Sequence, residues 1–146
     1  WKRFLLVCPA SSPEEIMTAS AEMLSAAGLS RRKVEYLKDL AFHFVERKIQ
    51  ADQWPDMPDE EIIADLTQVR GIGRWTAEMF LIFNLMRPNV LPLDDVGLLK
   101  GISMSYFSGK DIGKKDVQEI AGKWEPWCTV ATWYLWRSLT PLPVEY

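Results

Sequence analysis

Leu66-Thr67-Gln68-Val69-Arg70-Gly71-Ile72-Gly73-Arg74-Trp75-Thr76-Ala77 is the stretch whose reading decides the fold. Two glycines bracket one apolar residue between segments of helical period, which reads as helix, tight hairpin, helix. Only small residues let such a hairpin reach positive φ and approach another backbone closely. The same glycines are expected to leave the Ile72, Gly73 and Arg74 amides unpaired at the start of the second helix. Orphan N–H groups and the helix dipole favour an anion there, and a phosphate is the obvious guest. The plain alternative is an ordinary αα-hairpin with Ile72 plugging the core. Arg74 beside the amides, Trp75 after it, and the acidic pair in Leu91-Pro92-Leu93-Asp94-Asp95 favour the anion site.

Downstream, the second motif helix is expected from about Arg74 to Met86. Trp75, Met79, Ile82 and Met86 form one stripe and Ala77, Phe80, Leu81 and Asn84 another, so the helix is apolar nearly all round and central. Pro88 ends it. The Asn89 to Leu93 loop delivers Asp94 and Asp95 to the start of a helix carrying Val96, Leu98, Leu99 and Ile102. Aspartates belong at helix N-caps; capping needs one carboxylate and leaves the other for chemistry. Ser103 to Lys115 reads as a surface loop and Asp116 to Trp124 as a helix with Val117, Ile120 and Ala121 inward. The last helix follows Pro126, with Trp127, Val130, Ala131, Tyr134 and Leu135 on the core side and Trp133 and Trp136 on the flank, before the stop at Thr140-Pro141-Leu142-Pro143.

Upstream, Pro58-Asp59-Glu60-Glu61 starts the first motif helix, whose apolar side is Ile62, Ile63, Leu66 and Val69. Gln53 to Pro58 is a proline-punctuated loop. Ser12-Pro13 opens a helical segment running through Ala27 and ending at Gly28. Ser30 caps the next helix, with Val34, Leu37, Leu40, Ala41, Phe44 and Val45 at helical spacing. The basic turn Arg31-Arg32-Lys33 reads as a solvated cap, with a second phosphate contact as the sharper alternative. His43 lies between Phe42 and Phe44 without a second ligand and is assigned no role. The fold class is therefore all-α: one compact helical domain over residues 1–146, of about six to eight helices, with the helix–hairpin–helix motif at about 59–86.

A chain of 146 residues with 48% apolar content can bury a substantial core. Its net charge of −3 argues against a broad polyanion-binding surface. A grip built from backbone amides needs little net charge, and Arg70, Arg74, Lys100, Lys110, Lys114 and Lys115 could form a local basic patch. Two cysteines and one histidine are too few for a zinc finger or a four-cysteine iron–sulfur loop. Cys8 and Cys128 read as buried thiols of a reducing compartment. No apolar run reaches the roughly 18 residues of a membrane span, and no signal-peptide pattern is present. The expected location is the cytoplasm, with the nucleoid, in a bacterium and the nucleus in a eukaryote.

Val69-Arg70-Gly71-Ile72-Gly73-Arg74-Trp75-Thr76-Ala77 together with Val90-Leu91-Pro92-Leu93-Asp94-Asp95 resembles the motif and catalytic-aspartate segments of the helix–hairpin–helix DNA glycosylase superfamily. The similarity is to its 3-methyladenine DNA glycosylase II branch and runs from about Pro13 to Pro141. The resemblance implies monofunctional hydrolysis of the N-glycosidic bond of alkylated purines in duplex DNA. It places the catalytic carboxylate on Asp95, with Asp94 as cap or support. It puts Trp75 and Trp136 in the base pocket, where electron-rich indole faces attract a positively charged alkylated base. It implies a DNA phosphate held at Val69, Gly71, Ile72, Gly73 and Arg74, and a monovalent cation, Na or K, at the Val69 and Gly71 backbone. In the bifunctional branch a lysine follows the Gly-x-Gly-Arg turn; here Trp75 stands in that place, so no Schiff-base chemistry is expected.

The chain opens at Trp1 as though within a helix, and the resemblance implies preceding helices, supplied by an N-terminal segment or a separate chain. Two other classes fit parts of the sequence: a non-catalytic helix–hairpin–helix DNA-binding module or truncated glycosylase remnant, and a helical protein-interaction domain.

Overall fold

The computed structural model describes residues 1–140. Among them the chain is all helical, with nine α-helices, one 3-10 helix and no strand. It divides into two compact units, Trp1–Gly73 and Arg74–Tyr146. Tail residues Pro141 and Pro143 lie outside the described residues.

The first unit comprises α1 (Lys2–Val7), α2 (Pro13–Thr18), α3 (Ala21–Ala26), α4 (Arg31–Val45), a 3-10 helix (Ala51–Asp56) and α5 (Asp59–Thr67). Serine hydroxyls start three of them: Ser12, Ser20 and Ser30 accept from the amides of Glu15, Met23 and Lys33 at 3.2, 3.2 and 3.4 Å. The segment expected as one helix from Pro13 to Ala27 is two, because Ala19 is extended (φ −61, ψ 136) and Ser20 caps a new start. The Lys38 ammonium closes the end of α2 by donating to the carbonyls of Met17 (3.0 Å) and Ala19 (2.6 Å), a cation where the helix dipole is negative. Cys8, Ile16, Ala19, Leu24, Val34 and Ala41 form the core, with Phe4, Val7, Met17, Leu29 and Leu37 packed against it. The expected loop before Pro58 contains the 3-10 helix, wound so that Trp54 is buried edge-on to Phe44.

The second unit comprises α6 (Arg74–Phe83), α7 (Val96–Tyr106), α8 (Lys114–Ala121) and α9 (Cys128–Leu139). Leu98, Ile102, Val117 and Leu135 make its core, flanked by Leu91, Leu93, Leu99, Phe107, Ile112 and Trp124. A Cβ on Gly101 would lie 2.9 Å from the Leu135 Cβ, so α7 and α9 meet at a distance that only glycine permits.

Several expected boundaries and faces are corrected here. Helix α6 stops at Phe83 rather than Met86: the amides of Asn84 and Leu85 both reach the Phe80 carbonyl, and Met86 turns left-handed (φ 54) and exposed. It is also not buried all round. Ala77, Glu78, Leu81 and Ile82 face inward, whereas Trp75 and Phe83 are exposed. Helix α7 continues to Tyr106 through part of the expected loop, and α8 begins at Lys114 because the Asp116 carboxylate reaches back to the Gly113 amide (2.8 Å). In α9 the buried face is Cys128, Thr132 and Leu135, leaving Trp127, Val130 and Tyr134 exposed. Gly101 admits α9 at Leu135, an expected core position, whereas hydrophobicity alone pointed to the aromatic positions beside it.

Candidate active site and nucleic-acid interface

The hairpin begins where α5 runs out. The Val69 amide donates to Leu66 O (3.1 Å) and the Ile72 amide to Val69 O (3.1 Å), which closes a four-residue turn over Val69 to Ile72. Gly71 sits at its third position with φ 92, and a Cβ there would fall 2.4 Å from the Tyr36 ring. Gly73 has open space in that direction. The two glycines therefore do different work: Gly71 permits the turn and its contact with Tyr36, and Gly73 keeps a surface clear.

The expected inventory of free amides changes accordingly. Ile72 N–H, counted as free, is spent on the turn, and the Arg70 amide donates to Asp39 Oδ2 at 2.7 Å. No acceptor among the described residues takes the Gly71 or Gly73 amide. Val69 itself is buried. Three of the six cations considered for a basic patch are matched by acids: Arg70 with Glu35 (3.4 Å), Arg74 with Glu78 (2.9 Å), and Lys114 with Asp94.

In the second unit the structure brings together Asp95, Trp75 and Trp136, residues from three separate elements. Asp95 is the N-cap of α7, its Oδ1 accepting from the Leu98 amide at 2.6 Å. The same oxygen accepts from Trp136 Nε1 at 2.7 Å, and Oδ2 accepts from Trp75 Nε1 at 2.9 Å. The residue is only 8% exposed. Burying a carboxylate is costly unless its charge is compensated; here three N–H donors and the positive end of α7 do so. An ionised carboxylate offers about four acceptor positions, so one direction, on Oδ2, is not taken by any of the described residues.

The cap expected on Asp94 thus falls on the other member of the acidic pair. Asp94, expected as the cap, is exposed and paired with Lys114, because the helix begins at Val96 and the cap slot falls on Asp95. In Asp95, Oδ1 ties the helix start and Oδ2 is held by one indole.

Sequence reasoning did not single out Gly97. A Cβ on Gly97 would lie 2.9 Å from Trp136 Cδ1 and 3.1 Å from Asp95 Oδ1, so glycine there is what lets the indole reach the carboxylate. The signal available was a glycine in the first turn of a helix, where it lowers propensity without a local reason. Trp136 in turn stacks on Phe83, with ring centroids 5.9 Å apart and planes within 14°. Trp75 is 46% exposed although its N–H is committed to Asp95.

Neither thiol competes for a chemical role. Burial, then the Glu15 charge, raises the pKa of Cys8, and burial, then Glu125, raises that of Cys128; both are free thiols. No group of three or more metal-ligating side chains occurs among the described residues, and no helix there is long and apolar enough to cross a membrane.

DNA-3-methyladenine glycosylase 1 of Schizosaccharomyces pombe is 38% identical over 128 residues, covering 87% of this chain and 56% of the relative. The crystal structure of a DNA-3-methyladenine glycosidase from Bacillus halodurans superposes with a TM-score of 0.89 at 35% identity, covering 95% of this chain and 65% of that one. A 3-methyladenine DNA glycosylase of S. pombe in complex with abasic DNA superposes with a TM-score of 0.78 at 36% identity, over 92% of this chain and 66% of that one. The chain spans about half the length of the curated relatives it matches. The family model described as HhH-GPD superfamily base excision DNA repair protein matches residues 1–126, and the chain belongs to that superfamily.

Proposed function

We propose that this chain carries the reaction centre of a monofunctional DNA glycosylase that hydrolyses the N-glycosidic bond of alkylated purines in duplex DNA. The observation that carries the reading is the Asp95 carboxylate, buried yet charge-compensated, aimed by the N–H groups of two tryptophans in a member of a base excision repair superfamily. A negative group held this way has little reorganisation to do when positive charge develops nearby.

In the proposed reaction the damaged nucleotide leaves the base stack. The bond from C1′ to the base nitrogen breaks with its electron pair going to the base, and Asp95 faces the oxocarbenium character left on the sugar. A water oxygen then bonds to C1′ and loses its proton, with Asp95 as the acceptor or orienting group. The products are the free base and an abasic site. Trp75 and Trp136 keep the carboxylate oriented through their N–H groups, and the ring face of Trp75 is available to a cationic base. An alkylated base is already a good leaving group, so modest assistance suffices. With Trp75 directly after Arg74, no amine stands at that position to attack the sugar, and strand cleavage is not expected.

The hairpin supplies the grip. Gly71 and Gly73 direct their amides to one phosphate oxygen cluster, which positions the backbone without reading bases. A monovalent cation suits the donors present, the Val69 and Gly71 carbonyl oxygens, since oxygen-only sites favour hard cations over transition metals. The Val69 carbonyl accepts one hydrogen bond, from Ile72, and has a second lone pair to offer.

A non-catalytic DNA-binding module is the second reading, favoured by the fact that Asp95 already serves as a helix cap. The two separate on one experiment. The Asp95→Asn variant and the wild type are incubated with methylated duplex, and freed 3-methyladenine is counted beside duplex affinity. Base release is expected to fall by about 100-fold or more with affinity nearly unchanged. Equal release by both proteins, or none by the wild type, rejects the enzyme reading.

A further inference from the structure

Helix α4 carries a polar stripe that the glycosylase reading does not use: Arg32, Glu35, Tyr36 and Asp39, at helical spacings of i, i+3, i+4 and i+7. Each member is committed. Arg32 Nη2 donates to the Tyr36 hydroxyl at 2.9 Å, and Glu35 pairs with Arg70 at 3.4 Å. The Tyr36 ring lies so close beneath Gly71 that no Cβ fits there, and Asp39 Oδ2 accepts the Arg70 amide at 2.7 Å, across 31 residues of sequence. The backbone of Asp39 is tied as well, its carbonyl 2.8 Å from Nδ1 of the buried His43.

From this geometry we infer that Asp39 and Tyr36 are positioning residues for the hairpin, holding its peptides in the orientation that leaves the Gly71 and Gly73 amides available to a phosphate. A four-residue turn with a glycine at its third position is intrinsically mobile. Locking it before DNA arrives removes an ordering cost from binding. Asp39 does this by taking the Arg70 N–H with a charge-assisted bond, while the Tyr36 ring supports the Gly71 peptide from behind. Arg70 N–H is thereby withdrawn from the donor set, and the phosphate contact is confined to the two glycine amides.

This inference rests on the proposed DNA grip, and it makes a prediction whose sign is unusual. Asp39 is an anion beside a phosphate-binding loop, so deleting its charge should tighten DNA binding if it acts through its field alone. A positioning role demands the opposite for a variant that loses the acceptor. Asp39→Ala is expected to bind an undamaged duplex about tenfold more weakly, with an unaltered salt slope because no phosphate contact is removed. Asp39→Asn keeps an acceptor oxygen and is expected to restore wild-type affinity or better. A merely structural role would lower the unfolding temperature of both variants without this split.

Amide hydrogen exchange of the free proteins, read by NMR, gives a measurement that does not need DNA. Exchange at Arg70 is expected to quicken about tenfold or more in Asp39→Ala and to stay near the wild-type rate in Asp39→Asn. Unchanged exchange in Asp39→Ala, or DNA binding as tight as the wild type, overturns the inference. A wild-type chain with a protected hairpin and no affinity for any duplex would instead overturn the proposed grip, with the exchange comparison still deciding the role of Asp39.

Discussion

Asp95 is a helix cap to which we also assign the proposed chemistry. Its Oδ1 is saturated by the Leu98 amide and the Trp136 indole, which fixes the carboxylate plane; among the described residues its Oδ2 has only the Trp75 indole. Replacing Trp136 by phenylalanine preserves most of the ring contact with Phe83 but deletes one donor to a buried anion. The expected cost is about 1–3 kcal/mol in stability, the usual penalty for an under-bonded buried polar group, measurable by urea unfolding. Base release is expected to fall by about tenfold or more through loss of orientation, measurable in single turnover. A Trp136→Phe protein as stable and as active as wild type would show that the indole N–H does not hold the carboxylate. At this scale the residue types at Trp75, Asp95 and Trp136 were legible in the sequence. Which of the two aspartates caps α7 was not, because that depends on a one-residue shift of the helix start, and sequence patterns do not fix helix ends to one residue.

At the scale of elements, the hairpin separates two glycines that look alike in sequence. Gly71→Ala imposes a side chain at φ 92 and drives it into the Tyr36 ring, so unfolding by urea should show a loss of about 1–3 kcal/mol. Gly73→Ala meets nothing within 4 Å and should leave stability nearly unchanged, which makes Gly73 the clean position for probing DNA contact. Gly73→Asp then places a carboxylate where the phosphate is proposed to sit, and duplex affinity should drop by about tenfold or more. Undiminished binding in a gel-shift titration would remove the hairpin from the DNA contact. The motif as helix, turn and helix was readable from its period and its glycines. The Asp39 and Tyr36 support was not, since the residues that brace the turn lie over thirty positions upstream and carry no local pattern linking them to it.

For the whole molecule, a net charge of −3 and the pairing of Arg70, Arg74 and Lys114 with acids mean that the proposed DNA grip takes few phosphates. Affinity measured against salt should therefore fall with a shallow logarithmic slope, no steeper than about −2, the value for two neutralised phosphates. A slope near −6 would demand a broad basic surface that these pairings argue against.

The sequence by itself determined the all-helical class, the caps at Ser12 and Ser30, the glycine hairpin and the chemical character of Trp75, Asp95 and Trp136. These are local matters of period, capping chemistry and residue type. Tertiary structure alone decided which face of α9 is buried, that Gly97 and Gly101 make room for α9 residues, which amides of the hairpin remain free, and that two indoles converge on one carboxylate. Those outcomes depend on how side chains far apart in the chain compete for the same space and the same hydrogen bonds, a competition that no local window of sequence contains.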